Sequence, residues 1–161
     1  LELEHDFWPT YNNLGRLFLE ARNRPDAALR VLKAGERQAG SDLGRAILGK
    51  NIARAYLEKQ YPKTAIKTLT EIKMLLMDLW SKGESVEIYL AEVARLEARA
   101  YQLLGEQDQA IIAWQDSLGF ALAVATAPAC VEQGVQTPPD CLDAEQWIAE
   151  AREILAVEGD L

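Results

Sequence analysis

The amino-acid sequence predicts an all-α protein built as a row of antiparallel helix pairs. Ala, Leu, Glu, Lys and Arg make up 80 of the 161 residues, a composition typical of helical proteins. Apolar residues recur at helical spacing between short breaks of Gly, Pro, Asn or Ser, and no stretch keeps the two-residue alternation of a strand. We therefore expect three helix pairs, a proline-containing loop and one further helix, with strand content near zero.

The first four helices are separated by turn-forming residues. Pro9 and Pro25 suit the first turns of two helices, because proline has no N–H to satisfy there. Ser41 supplies an N-cap for the third helix, and Gly83 breaks the fourth. The expected bounds are 9–22, 25–39, 42–59 and 63–82.

The second half of the chain follows the same rules. Ser85 is the expected cap of a fifth helix that runs to Leu104, and Gly105 ends it. A sixth helix is expected over 108–125. The resulting segments are an N-terminal extension or end of a preceding helix at 1–8, helix pairs at 9–125, a loop at 126–140 and a last helix at 141–158. Because the chain starts without Met, we expect a piece of a longer protein.

Each helix pair carries a copy of one pattern, in which an Ala follows an aromatic residue by nine positions. The copies read Tyr11, Leu14, Gly15, Phe18, Ala27, Val31, Ala34; Gly49, Ile52, Ala53, Tyr56, Ala65, Leu69, Ile72; and Ala94, Glu97, Ala98, Tyr101, Ala110, Trp114, Ser117. This pattern resembles the tetratricopeptide repeat (TPR) over most of the chain. The resemblance implies a helical-hairpin solenoid of three repeats, in which the small residues let paired helices approach closely. The copies lie further apart than standard repeats, which implies longer helices around 63–104.

A solenoid needs a terminal helix with one polar face, and the last helix fits that role. Its apolar stripe is expected to cover the third pair and comprises Trp147, Ile148, Ala151, Ile154 and Leu155. Its carboxylates are expected to face water, namely Glu145, Glu150, Glu153 and Glu158. We interpret it as a capping helix.

Helix geometry places a polar stripe opposite the packed stripe of the first helix in each pair. The TPR resemblance implies that this stripe lines a concave groove, with Asn12, Asn13, Arg16, Lys50, Asn51, Arg54, Arg95 and Arg99. Asn holds peptide backbones and Arg matches carboxylates, so the expected partner is an acidic protein or peptide segment. Lys50, Asn51 and Arg54 are similar to the cluster with which TPR co-chaperones hold C-terminal carboxylates, whereas Arg16 and Arg99 depart from it.

Charge is distributed unevenly along the chain. The formal net charge is −8, but residues 1–105 carry +2 and residues 106–161 carry −10. This balance argues against a nucleic-acid partner, because phosphate neutralisation needs an excess of Lys and Arg. No uncharged stretch is long enough to span a membrane, so we expect no membrane insertion within this chain. The acidic end is a candidate to occupy the chain's own basic groove.

The residues of a catalytic or metal site are largely missing. His5 is the single histidine, it lies in the N-terminal extension, and no nucleophile or orienting partner is indicated for it. No phosphate-binding loop, zinc-protease helix or calcium loop is present in the sequence. We expect no catalytic residues, no metal and no cofactor, and therefore no enzyme.

The two cysteines, Cys130 and Cys141, bracket the proline-containing loop. They could form a disulfide that ties down the last helix, or they could be two reduced thiols, the state we expect. Reduced thiols favour the cytoplasm, and a disulfide would instead favour an oxidising, extracytoplasmic compartment.

The sequence therefore favours a non-catalytic scaffold or adaptor that binds an acidic segment. Two alternatives remain. One is a regulatory sensor that binds a small peptide or anionic ligand. The other is a structural assembly module that self-associates through an exposed Trp8, Trp80 or Trp147.

Overall fold

The computed structural model describes residues 7–131 and 138–158, and every regular element in these ranges is an α-helix. The helices are α1 Trp8–Glu20, α2 Pro25–Gln38, α3 Asp42–Glu58, α4 Pro62–Ser81, α5 Glu87–Leu104, α6 Gln107–Ala125, α7 Pro128–Val131 and α8 Pro139–Val157. No strand occurs in the described ranges, so the all-α prediction is confirmed for them. His5 lies outside the described residues.

Helix ends follow the local residues in most places. The Ser41 side chain accepts a hydrogen bond from the Gly44 N–H at 3.0 Å, which confirms the predicted cap of α3. Gly105 ends α5 with a φ of 73°, a left-handed conformation that costs glycine little. The cap predicted at Ser85 is wrong, because α5 starts after Val86, whose side chain is only 1% exposed. Burial of an apolar side chain, and not a capping hydroxyl, sets that helix start.

The segment boundaries also need correction at three places. Trp8, predicted to belong to an N-terminal extension or to the end of a preceding helix, lies in α1 and packs against the core. The predicted loop over 126–140 contains the short helix α7. The last helix begins at Pro139, two residues earlier than expected, because proline is well tolerated in a first turn.

The chain divides into two compact units, Leu1–Leu79 and Trp80–Leu161. Unit 1 contains α1, α2, α3 and most of α4, and unit 2 contains α5, α6, α7 and α8. In unit 1, α1 packs on α2, α2 packs on α3, and α1 also touches α3. In unit 2, α5, α6 and α8 repeat this order of contacts. Both units are therefore built around the same three-helix packing arrangement.

The core of unit 1 depends on a close approach of α1 to α2. A Cβ at Gly15 would overlap the side chain of Leu32, which is fully buried. The close approach expected at Gly15 is thereby confirmed. The buried cluster consists of Leu19, Ala28, Leu29, Leu32, Ala39, Leu48, Ile52 and Ala55. Trp8, Tyr11, Phe18 and Tyr56 pack against its edge.

The core of unit 2 is centred on Trp114 of α6, which is 1% exposed. Ala98 of α5 and both Ala151 and Leu155 of α8 belong to the same buried cluster. The Ser117 hydroxyl, also buried, donates a hydrogen bond to the Ala91 carbonyl at 3.1 Å and joins α6 to α5. The last helix therefore covers the third helix pair, as its apolar stripe predicts.

Candidate functional site

The candidate site is the predicted polar stripe, which the structure divides between the two units. Six of its eight residues lie on α1 and α3 in unit 1, and Arg95 and Arg99 lie on α5 in unit 2. The two groups are therefore described separately, each within its own unit.

Asn12 and Asn51 join α1 to α3 across the interior of unit 1. The Asn51 amide donates to the Asn12 side-chain oxygen at 2.7 Å, and the two residues are only 1% and 9% exposed. Burial of amide groups is tolerated here because they satisfy each other. Lys50 is buried as well, at 9% exposure. Asn12 and Asn51 thus lie in the interface between α1 and α3, and all three of these predicted groove residues are largely covered.

Arg16 and Arg54 converge on a single carboxylate, that of Glu20. Arg54 Nη1 lies 2.9 Å and Arg16 Nε lies 3.4 Å from the same oxygen, Glu20 Oε1. Burial raises the pKa of Glu20, but the Arg54 hydrogen bond and the charges of both arginines outweigh it, so the pKa lies below its ordinary value. The carboxylate therefore stays ionised well below neutral pH. Together with the exposed Asn13, these residues form what we call the α1–α3 face.

Unit 2 carries a two-point ion pair between α5 and α8. Arg95 Nε lies 2.5 Å from Glu150 Oε2, and Arg95 Nη2 lies 3.1 Å from Glu150 Oε1. Such a two-point contact fits the planar guanidinium to both carboxylate oxygens. The expectation that Glu150 faces water is therefore wrong, because this contact leaves its side chain only 32% exposed. Arg99 is half-buried on the same helix.

The structure pairs Cys130 and Cys141 in a disulfide that links α7 to α8. The expectation of two reduced thiols is therefore wrong. The two Cα atoms lie 5.6 Å apart, because the short helix α7, which was not predicted from the sequence, brings Cys130 to the start of α8.

A cleft in unit 1 was not predicted from the sequence. It has a volume of about 370 Å³ and is lined by side chains of α2, α3 and α4. Lys33 and Arg37 are four residues apart, so they lie on the same side of α2. This spacing could have indicated a basic strip on that helix. Only packing could show that Lys67 of α4 lines the same space.

Across 7–131 and 138–158, no cluster of three potential His, Cys, Asp or Glu metal ligands is found. None of the helices in these same ranges combines the length and the apolar character needed to cross a membrane.

Comparison with known proteins gives no relative from which a site can be transferred: no protein-family model, no curated protein and no solved structure matches the chain.

Proposed function

We propose that the chain is a non-catalytic protein-interaction module of the TPR type, which binds an acidic segment of a partner protein. The single observation that carries this proposal is the convergence of Arg16 and Arg54 on the carboxylate of Glu20. The repeated three-helix packing of the two units and the three sequence copies support the solenoid part of the proposal.

The α1–α3 face is suited to carboxylate exchange. The side chains of Arg16 and Glu20 are 50% and 42% exposed, and ion pairs this exposed contribute only about 0–1 kcal/mol. A partner's carboxylate can therefore replace Glu20 at little cost. The exposed amide of Asn13 lies on the same helix and can pair with peptide backbone. The face thus offers two arginines and an amide to an incoming acidic segment.

The pair between Arg95 and Glu150 supports the same recognition chemistry. Here the acidic last helix of the chain supplies the carboxylate to an arginine of the predicted stripe. In this proposal Glu150 competes with a partner's acidic residue for Arg95. Replacing Glu150 by Gln would then strengthen binding of an acidic segment at unit 2 while leaving the α1–α3 face unchanged.

The proposal is tested with a short synthetic peptide rich in Asp and Glu, and with its counterpart in which every carboxylate is an amide. Fluorescence anisotropy should show binding of the acidic peptide alone, weakening as salt rises. Arg54→Glu should weaken this binding by about tenfold or more, because it replaces attraction by repulsion. Arg30→Glu on the exposed side of α2 is the matched control and should have little effect. Equal binding by both variants would exclude the α1–α3 face.

A second candidate function, self-association, is favoured by Trp80. This side chain is 42% exposed although it forms a T-shaped ring contact with Phe120 and donates to Glu87 Oε1 at 3.1 Å. Trp8 and Trp147 are both more covered, so Trp80 is the better anchor of the three. Light scattering over a concentration series would detect an oligomer, and Trp80→Ser should dissociate it.

A further inference from the structure

A basic cleft in unit 1 forms a second candidate binding site, distinct from the α1–α3 face. Three helices contribute to its walls, α2, α3 and α4, and its volume of about 370 Å³ falls in the range of small-molecule sites. None of the residues that form the α1–α3 face lines it. The cleft therefore goes beyond the function proposed above.

Three cations line the cleft, and they come from two different helices. Lys33 and Arg37 come from α2, where they lie one helical turn apart, and Lys67 comes from α4. Like charges at this spacing repel each other on a helix. Among the residues that the structure describes, no carboxylate lies within ion-pair distance of Arg37 or Lys67. An anion placed between the two walls would relieve this repulsion.

Hydroxyl groups and an apolar side chain complete the lining. The Lys33 ammonium donates to the Tyr56 hydroxyl at 2.8 Å, which holds the lysine at the cleft and leaves it two further N–H donors. The Thr68 hydroxyl donates to the Thr64 carbonyl at 3.1 Å, so its position along the α4 wall is also defined. Ile52, which is 3% exposed, lines the cleft from the core side. The cleft thus combines ordered polar groups with one apolar surface.

Two carboxylates restrict the kind of ligand that the cleft can bind. Glu36 and Glu71 also line it, so the lining carries three positive and two negative charges. A long polyanion would contact both carboxylates and be repelled. A small ligand can contact the cations and avoid them, and cations on two walls suit a ligand with two negative charges.

We propose that the Lys33–Arg37–Lys67 cleft binds a small dianion, either a short dicarboxylate or a phosphate group. The α2 wall contacts one end or edge of the anion through two cations, and Lys67 contacts it from the α4 wall. The Tyr56 hydroxyl lies beside the anion because it is bonded to Lys33.

The test measures binding of succinate, inorganic phosphate and the monoanion acetate to the whole chain, at constant ionic strength. Calorimetry gives the affinities, and NMR shifts of Tyr56 and Ile52 locate the ligand. Succinate or phosphate, and not acetate, should bind and shift both residues. The dianion that binds with the higher affinity shows whether the site prefers carboxylate groups or a phosphate group. Failure of both to bind at millimolar concentration would overturn the proposal.

The variants Arg37→Gln and Lys67→Gln should each weaken dianion binding by about fivefold, the effect of losing one partly exposed ion contact. Arg30→Gln on α2 and Lys63→Gln on α4 remove the same charge outside the cleft and should leave the affinity unchanged. Circular dichroism checks that all four variants keep their helical content. Equal losses of dianion affinity in the cleft variants and the control variants would show that the anion is attracted by the overall charge of the protein. That result would refute a specific site in the cleft.

Arg54→Glu separates this proposal from the interaction function proposed above. It should lower affinity for the acidic peptide and leave dianion binding at the cleft intact. Loss of dianion binding in this variant would place the anion on the α1–α3 face and overturn the assignment to the cleft.

Discussion

Arg95 of α5 and Glu150 of α8 form a two-point ion pair, with N–O distances of 2.5 and 3.1 Å between the two side chains. It connects the last helix to the first helix of unit 2, 55 positions apart in the sequence. The side chains are 24% and 32% exposed, so the pair is less screened than most surface ion pairs. The pair therefore adds a polar contact to the apolar packing of α8 in unit 2.

We expect Glu150→Gln to lower the free energy of unfolding by about 1–2 kcal/mol, because it leaves a half-buried guanidinium without its charged acceptor. Urea unfolding measures this loss. Glu153→Gln on the exposed side of α8 is the control and should change stability by less than about 0.5 kcal/mol. The charge-swapped double variant, Arg95→Glu with Glu150→Arg, should recover part of the loss. Strictly additive single-variant effects would contradict a direct pair.

Gly15→Ala should destabilise the protein by about 1–3 kcal/mol, because the added methyl group overlaps the buried side chain of Leu32. Gly119→Ala provides the matched control. Gly119 also lies within a helix, α6, but among the described residues no heavy atom other than those of its chain neighbours and of the local helix backbone lies within 4 Å of an added Cβ. There the substitution should stabilise by about 0.5–1 kcal/mol through helix propensity. Thermal unfolding should therefore move in opposite directions for the two variants.

Glu20 should make stability depend on pH in the acidic range. Its pKa in the folded chain lies below the ordinary value of 4.5, so folding is favoured when the carboxylate is ionised. This contribution is complete above pH 4.5 and is lost as the pH falls through the lower folded-state pKa. NMR titration should show the pKa of Glu20 rising towards 4.5 in Arg54→Gln. An unchanged pKa in that variant would show that Arg54 does not stabilise the carboxylate.

Reduction of the Cys130–Cys141 disulfide should destabilise the attachment of α8. Closing a loop with a sequence separation of 11 corresponds to about 3 kcal/mol in the chain-entropy model. Thermal unfolding should occur at lower temperature in the presence of a reductant. The double variant Cys130→Ser with Cys141→Ser should match the reduced protein and show no response to reductant. If a reductant still lowered the unfolding temperature of the double variant, the effect would have a cause other than this disulfide.

Local sequence accounts for most of the helices. Three helix-end signals act through their own backbone and their nearest neighbours in the sequence. They are the proline at the start of α2, the Ser41 cap of α3 and the left-handed Gly105 at the end of α5. The failures have a different origin. The start of α5 depends on burial of Val86, and α7 forms in a segment whose three prolines favoured a loop.

The sequence also identified which residues bear positive charge on the first helix of each pair, but not their partners. The i, i+4 spacing of Arg16 and Glu20 is visible in the sequence, and it underlies one of the two contacts to Glu20. The contact from Arg54 requires that α3 pack beside α1. Similarly, Asn12 and Asn51 are polar and were expected to line a groove, yet packing of the two helices buries them against each other.

By itself, the sequence determined the helical class, most helix bounds, the close approach at Gly15 and the apolar stripe of α8. These features depend on residue type and on spacing within one helix, where geometry is set by the 3.6-residue turn. Only the tertiary structure decided that Glu150 binds Arg95, that the cysteines are paired, and that Lys33, Arg37 and Lys67 share a cleft. Those outcomes depend on distances between helices, and many residues together determine these distances through packing.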